Sequence, residues 1–301
     1  MEITIGIPAY NEEDNISKII KKLQKITNKI IVCDDGSNDS TAKIAKEMGV
    51  LVIQHEKNLG YGAAIRSIFL KAREENSELL ITLDSDGQHR IEDIQTVLKP
   101  LKNGEADLVI GSRFLNDNGK NVPSYRKVGI KILTKLANTS LEDNITDSQS
   151  GFRAYSQKII QNVTPSESGM GVSNEILIKA SKQGLKIVEV PIIILYDGNT
   201  STHNPISHGS SVFISTLKFI SMEHPLKFYG IPGIVFLSIG LIFLIFTVHL
   251  FTETRQILLS SAIIGVGSVI FGIILIQSSI LLYAMVNLIR KKKFKKTTFK
   301  N

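Results

Sequence analysis

Two stretches toward the C-terminal end of the chain hold almost no charge. Leu226 to Phe251 is apolar apart from Lys227 and His249, and Ile257 to Ile289 has no charged residue. About 20 helical residues cross the hydrocarbon core of a bilayer, so each stretch is long enough to span one. Two buried helices of a soluble core are the competing reading, and both length and hydropathy weigh against it. The link, Thr252-Glu253-Thr254-Arg255-Gln256, is too short for anything but a tight helical hairpin. The 33 residues of the second stretch extend about 50 Å as a helix, so it must tilt or protrude. Gly265, Ser268 and Gly272 give it a small-residue face on which the first helix can pack.

Charge sets the expected orientation. The formal net charge is +7, but Arg290 to Asn301 holds seven basic residues and no acid, leaving 28 basic and 28 acidic residues in Met1 to Ile289. A neutral body offers no basic groove for nucleic acid. The basic tail marks the cytoplasmic side by the positive-inside rule, and a two-span hairpin returns both termini to it. Lys218 and Lys227 agree. The expected location is thus a cell membrane or endomembrane, with a cytoplasmic domain of the first 205 or so residues. No secretory signal opens the sequence, since Met1 to Ile7 runs at once into polar Asn11-Glu12-Glu13-Asp14. Triplets such as Asn144-Ile145-Thr146 then carry no glycan. Cys33 is the single cysteine, which excludes an intrachain disulfide and suits a reducing compartment.

Short apolar runs alternate with helical patterns through that domain. Strands are expected at Ile3 to Ile7, Lys29 to Cys33, Val50 to Ile53, Leu79 to Leu83 and Asp107 to Ile110. Helices are expected at Asn15 to Lys25, Ser40 to Met48, Gly60 to Glu74 and Ile91 to Asn103. The alternation predicts an α/β fold with a doubly wound, mostly parallel sheet, which binds ligands at the carboxyl ends of its strands.

The informative residues follow those strands. Pro8-Ala9-Tyr10-Asn11-Glu12 can shape a flat slot for a base or simply start a helix. Asp34-Asp35-Gly36-Ser37 can hold ribose hydroxyls or a base edge, or form a turn and cap. Asp84-Ser85-Asp86-Gly87-Gln88-His89 is sharper: two acids two apart, with an amide two further on, suit one Mg²⁺ or Mn²⁺ and leave positions open for phosphate oxygens. His89 reads more readily as a solvent-facing histidine at a helix start than as a further ligand. Gly60-Tyr61-Gly62-Ala63-Ala64 is half of a dinucleotide fingerprint without its third glycine or acid, and reads as close helix packing. The P-loop, zinc-protease and α/β-hydrolase signatures are absent. Arg113, after the fifth strand, and Arg126, opening a helix, are planar donors suited to phosphate. The helix Arg126 to Leu136 pairs an apolar stripe with Lys127, Lys131 and Lys135, which suits either an anionic membrane surface or core packing with a solvated lysine face. A similar segment, His208 to His224, leads into the first span and reads as interfacial.

Taken together, Pro-Ala-Tyr-Asn-Glu, Asp-Asp-Gly-Ser-x-Asp-x-Thr, Asn58-Leu-Gly-Tyr-Gly-Ala-Ala, Asp84-x-Asp-x-Gln-His, Gly-Ser-Arg and Ser150-Gly-Phe-Arg-Ala resemble a family 2 glycosyltransferase of the dolichyl-phosphate mannose synthase type. The resemblance spans residues 3 to about 195. It implies a GT-A fold, a nucleotide-diphosphate sugar donor, a divalent metal (Mg²⁺ or Mn²⁺), a polyprenyl or dolichyl phosphate acceptor, and inversion at the anomeric carbon. Carried over by motif, Pro8, Ala9, Tyr10, Glu12, Cys33, Asp34 and Asp35 line the nucleoside. Asp84, Ser85, Asp86 and Gln88 handle metal and diphosphate, with Asp84, Asp86 and Gln88 as the metal ligands. Arg113 and Arg126 bind donor and lipid phosphate. Tyr196 to Pro205 departs from the family pattern, which has an arginine and a Gly-x-Ser-Lys stretch there; His203 is the replacement this chain offers.

The implied organisation is a transferase domain at 1–205, an amphipathic helix at 206–225, a transmembrane hairpin at 226–289 and a basic tail at 290–301, with an oligomer possible. A phosphate acceptor is already an anion and needs no base, whereas a hydroxyl acceptor would need a carboxylate such as Asp147. The competing classes are thus a transferase acting on a glycan or lipid hydroxyl, and a membrane-anchored nucleotide-sugar-binding accessory protein.

Overall fold

A computed structural model describes residues 2–116, 124–139, 141, 144–194, 217, 221 and 225–298. The chain divides into two compact units, Met1–Thr216 and Leu217–Asn301.

In the first unit the order is β1 (Ile3–Ala9), α1 (Glu13–Leu23), β2 (Ile30–Asp34), α2 (Thr41–Glu47), β3 (Leu51–Gln54), α3 (Tyr61–Glu74), β4 (Leu79–Thr82), α4 (Asp93–Lys102), β5 (Leu108–Ser112), α5 (Ser124–Asn138), β6 (Arg153–Ser156), α6 (Gln157–Asn162), α7 (Val172–Ser181) and β7 (Ile187–Pro191). The expected strands and helices up to α5 lie within two residues of these bounds. Among the described residues the strands form one sheet in the order β3-β2-β1-β4-β6-β5-β7. The β1–β2, β2–β3, β1–β4 and β5–β7 pairs are parallel, while β6 runs antiparallel to both β4 and β5.

Helices cover both faces, so the central strands are buried throughout and read as unbroken apolar runs. Side chains alternate between the faces. Ile5, Ile7, Ile30, Val32, Ile81 and Val109 enter one core with Ile16, Ile20 and Leu98. Ile31, Cys33, Leu80, Leu108 and Ile110 enter the other with Ile68, Phe69 and Ile176. Helix α1 shows how the sequence secures this packing: Ile16, Ile19, Ile20 and Leu23 recur on the buried face, acids open the helix and lysines close it. In α5, Leu133, Thr134 and Ala137 are buried, while Ile132 is exposed between Lys131 and Lys135. The helix therefore packs into the unit and presents a basic outer face with one exposed isoleucine.

The second unit holds a π-helical turn (Leu226–Gly230), α8 (Ile231–Thr254) and α9 (Leu259–Thr298). Leu226–Thr254 and Leu259–Val286 are long and apolar enough to cross a membrane, and only 11% and 17% of their apolar windows are buried. That exposure disfavours the soluble-core reading. Arg255, left-handed at φ 57°, ends α8, and its N–H bonds the Phe251 carbonyl. The helices pack antiparallel through small residues. A Cβ added to Gly240 would lie 2.8 Å from the Gly265 carbonyl, and one on Gly233 would lie 3.0 Å from that of Gly272. Thr247 and Ser261 hydrogen-bond at 2.7 Å between them. Gly265 and Gly272 thus belong to the seam, as expected, together with Gly233 and Gly240. The segment 206–225, expected to be interfacial, falls almost wholly outside the described residues, as do the side chains of the basic tail.

Candidate active site

The ends of β1, β2, β4 and β5 meet along one edge of the sheet. Ala9 pairs in register with Asp34, and the Asp35 N–H bonds the Ala9 carbonyl at 2.9 Å. Pro8 and Ala9 are buried, whereas Tyr10 and Glu12 are half-buried beyond the strand. The turn after β1 is stitched to the turn after β2. Asn11 N–H donates to Ser37 Oγ at 2.9 Å, Asn38 N–H to Asn11 Oδ1 at 2.9 Å, Glu12 N–H to Thr41 Oγ1 at 2.8 Å and Ser40 N–H to Glu13 Oε2 at 2.9 Å. The spacing of the Asp-Asp-Gly-Ser-x-Asp-x-Thr stretch is thus in large part the spacing of these cross-links.

Both acids after β2 turn into the fold. Asp34 accepts from the Ser37 hydroxyl. Asp35 accepts from Leu59 N–H at 3.0 Å and Gly60 N–H at 2.8 Å, and its Oδ1 lies 2.6 Å from His55 Nδ1. Cys33 is fully buried; burial, with the charge of Asp35, pushes its thiol up to about 12. It is therefore an inert, buried residue of β2.

Beyond β4, Ser85 is buried, and Asp84, Asp86 and Gln88 are partly exposed. The Tyr61 hydroxyl donates to Asp84 Oδ1 at 3.1 Å, and His89 Nε2 stands 3.5 Å from Oδ2. Gln88 N–H donates to Asp86 Oδ1 at 3.0 Å. His89 corrects an expectation: its side chain is only 6% exposed and packs on Phe152 with ring centroids 5.1 Å apart. Phe152, the residue just before antiparallel β6, supplies the covering ring. Gly151, just before β6, leaves the space that Asp84 fills, since a Cβ there would lie 2.6 Å from both carboxylate oxygens.

Negative charge is concentrated at this edge. Burial raises the Asp84 carboxyl, but His89, Tyr61 and Arg113 outweigh it and hold the group below its ordinary value. Asp86 is pushed up by burial and by the charge of Asp84. Glu12 is raised by burial, and further by Asp86, Asp39 and Asp84. Among the described residues no three His, Cys, Asp or Glu side chains cluster as a ready metal cage. Two carboxylates, an amide and a third acid sensing their charge nevertheless fit a divalent ion that keeps positions for phosphate oxygens.

Arg113, after β5, is held by Asp147, the carboxylate that a hydroxyl acceptor would need as its base. Its guanidinium makes two bonds to Asp147, which is fully buried. Burial would raise Asp147, but Arg113 and backbone N–H groups keep its carboxyl below the ordinary range. A carboxylate so held is a poor proton acceptor. Glu189 on β7 steadies the same turn through the N–H groups of Thr146 and Asp147 at 2.7 and 2.9 Å.

Arg153 of the Ser150-Gly-Phe-Arg stretch is 1% exposed and donates to the carbonyls of Ser148, Ser150 and Ser173 at 2.7–2.8 Å. Gly60 and Gly62 serve close packing, as expected: Ser168 carbonyl accepts from Gly62 N–H at 2.8 Å, and a Cβ on Gly62 would collide with the Glu167 carbonyl. Glu175 pins that segment by accepting from Ser166 N–H and Glu167 N–H. The Arg126 side chain and the Asp197 to Pro205 loop lie outside the described residues.

Sheet order and the acids at its edge define a GT-A glycosyltransferase fold. The glycosyl transferase family 2 model matches residues 4–164, and the chain belongs to that family. It is 35% identical over 233 residues to a UDP-N-acetylglucosamine–dolichyl-phosphate N-acetylglucosaminyltransferase of Methanococcus voltae, covering 70% of this chain and 91% of that protein. It is 34% identical over 204 residues to a dolichol-phosphate mannosyltransferase of Pyrococcus furiosus, covering 64% and 56%. Among solved structures, the Mycobacterium tuberculosis glucosyl-3-phosphoglycerate synthase with Mn²⁺ and UDP-glucose superposes with a TM-score of 0.57 at 20% identity, over 73% of this chain and 78% of that one. The chain is a glycosyltransferase.

Proposed function

We propose that this glycosyltransferase moves a sugar, with inversion, from a nucleotide-diphosphate donor to a polyprenyl or dolichyl phosphate at the cytoplasmic membrane face. The observation that carries the reading is the Asp84/Asp86 pair at the end of β4, sensed electrostatically by Glu12 and by Arg113 at the end of β5. Two anionic reactants must be brought together there, and the residues divide that work. Pro8, Ala9, Tyr10 and Glu12 line the nucleoside, with Cys33, Asp34 and Asp35 forming the wall behind. Asp84, Asp86 and Gln88 hold Mg²⁺ or Mn²⁺, with Ser85 beside the diphosphate. When bound, the metal neutralises charge on the leaving diphosphate. Arg113, oriented by Asp147, and Arg126 take phosphate oxygens.

The organisation proposed is catalytic residues 1–205, an interfacial helix at 206–225, a membrane hairpin at 226–289 and a basic tail at 290–301. By the positive-inside rule the catalytic unit and both termini lie in the cytoplasm. Relatives named for dolichyl-phosphate transfer support the acceptor class. The engagement of Asp147 by Arg113 disfavours a hydroxyl acceptor that needs a base.

The test is a donor screen on the purified full chain with UDP-N-acetylglucosamine, UDP-glucose and GDP-mannose, offering a short polyprenyl phosphate or the matching alcohol. Labelled lipid formed only with the phosphate is expected. Equal use of the alcohol would overturn the acceptor assignment.

A further inference from the structure

The Asp84 carboxylate is enclosed on three sides by its own chain. Tyr61 hydroxyl reaches one oxygen at 3.1 Å, His89 Nε2 stands 3.5 Å from the other, and the bare Cα of Gly151 lies against the group. Tyr61 is itself placed by contacts that start at β2. Asp35 takes the N–H groups of Leu59 and Gly60, the two residues before α3. His55 anchors Asp35 through Nδ1, while its Nε2 lies 2.9 Å from Ser67 Oγ within α3. Ser168 carbonyl accepts from Gly62 N–H, so the first turn of α3 is tied at its beginning and just after Tyr61.

We propose that Tyr61 is a positioning residue of the donor site: its hydroxyl fixes the Asp84 carboxylate for metal and diphosphate, and Asp35 with His55 fixes Tyr61. The contact chain joins the wall of the nucleoside slot to the diphosphate end of the site. Side chains that hydrogen-bond and orient a metal-binding carboxylate carry a large share of metal affinity although they do not touch the ion. The inference rests on the donor-binding role proposed above for Asp84.

Tyr61→Phe keeps the ring and removes the hydroxyl. The readouts are the Mn²⁺ concentration giving half-maximal transfer, the donor KM, and the thermal midpoint in detergent. The expected result is about a tenfold higher Mn²⁺ requirement with an unchanged thermal midpoint. Gly151→Ala, which crowds the same carboxylate, should raise the Mn²⁺ requirement in the same way. In an Asp84→Asn background, Mn²⁺-dependent binding of UDP, and of GDP in parallel, should lose its sensitivity to the Tyr61 change. A Tyr61→Phe enzyme with the wild-type Mn²⁺ midpoint and kcat would overturn the positioning role while leaving the donor site intact. Full transfer by metal-stripped wild-type protein would instead overturn the metal reading, and this inference with it.

Discussion

Arg113 and Asp147 form a two-point ion pair: Nε meets Oδ2 at 2.6 Å and Nη2 meets Oδ1 at 2.7 Å, while the Arg113 backbone N–H adds a third bond to Oδ2 at 3.1 Å. The arginine side chain is 15% exposed and the aspartate not at all. Asp147 therefore serves as a fixed mount that sets the guanidinium plane at the mouth of the site. Removing one member of a buried pair leaves the other uncompensated, at a cost of about 3 kcal/mol. Asp147→Asn should lower the urea-unfolding free energy of the catalytic unit by about that amount, with a matching fall in the midpoint, and depress transfer. An unchanged midpoint would contradict the mounting role.

Asp86 has the opposite character, with a carboxyl that burial and Asp84 push toward the neutral form. Such a group gains most from a cation. Asp86→Ala should cut transfer by about 10²-fold or more, the scale of losing one electrostatic stabiliser. EDTA should stop the wild-type enzyme, and added Mg²⁺ or Mn²⁺ should restore it. The check is labelled sugar recovered in extracted lipid.

Acid should loosen the catalytic unit in a defined window. Burial raises both Asp147 and Glu175, yet Arg113 outweighs it for the first, and Lys179 with Ser166 and backbone N–H groups for the second; both folded carboxyls end below their unfolded values. Their stabilisation is fully present above the unfolded carboxylate range, about pH 4, and is lost as pH falls through the lower folded values. The raised carboxyls of Glu12, Asp86 and Glu189 work the other way, gaining stability as they protonate above that range, so the loss due to Asp147 and Glu175 should show as a drop in the thermal midpoint below about pH 4. A midpoint that keeps rising below about pH 4 would reverse the assignment.

Membrane orientation can be read with a thiol probe, because Cys33 is buried and its thiol is pushed up to about 12. The native chain should give almost no maleimide signal in sealed vesicles. Cysteine at Thr254, beside the link between α8 and α9, should react only with reagent on the non-cytoplasmic side, and cysteine at Thr298 only from the cytoplasmic side. Labelling of both from one side would rule out the two-span arrangement.

The elements that were legible in the sequence are those whose burial leaves an uninterrupted apolar record. β2, β4 and β5 lie between helical layers, so Ile30-Ile31-Val32 and Leu79-Leu80-Ile81 read as strands without their partners. β6 left no such record: Arg153-Ala-Tyr-Ser is four residues long and opens on a cation whose solvation by three carbonyls exists only after folding. The acids after β4 were legible because they close a strand. Tyr61 was hidden because it opens a helix, where a ring ordinarily reads as packing, and its acceptor is 23 residues away. His89 was misplaced because Phe152, the residue that covers it, precedes the unforeseen strand.

The reversed direction of β6 has a further consequence for folding. Because this strand enters the sheet at the ligand-binding edge, the short turn ahead of it carries both Asp147, which mounts Arg113, and Gly151, which seats Asp84. The two halves proposed to hold phosphate and metal then belong to one cooperative unit, and a local opening that frees β6 should dissolve both together. Amide hydrogen exchange at Arg113 and at Leu83 should then follow a single opening event, with no state in which half of the site persists.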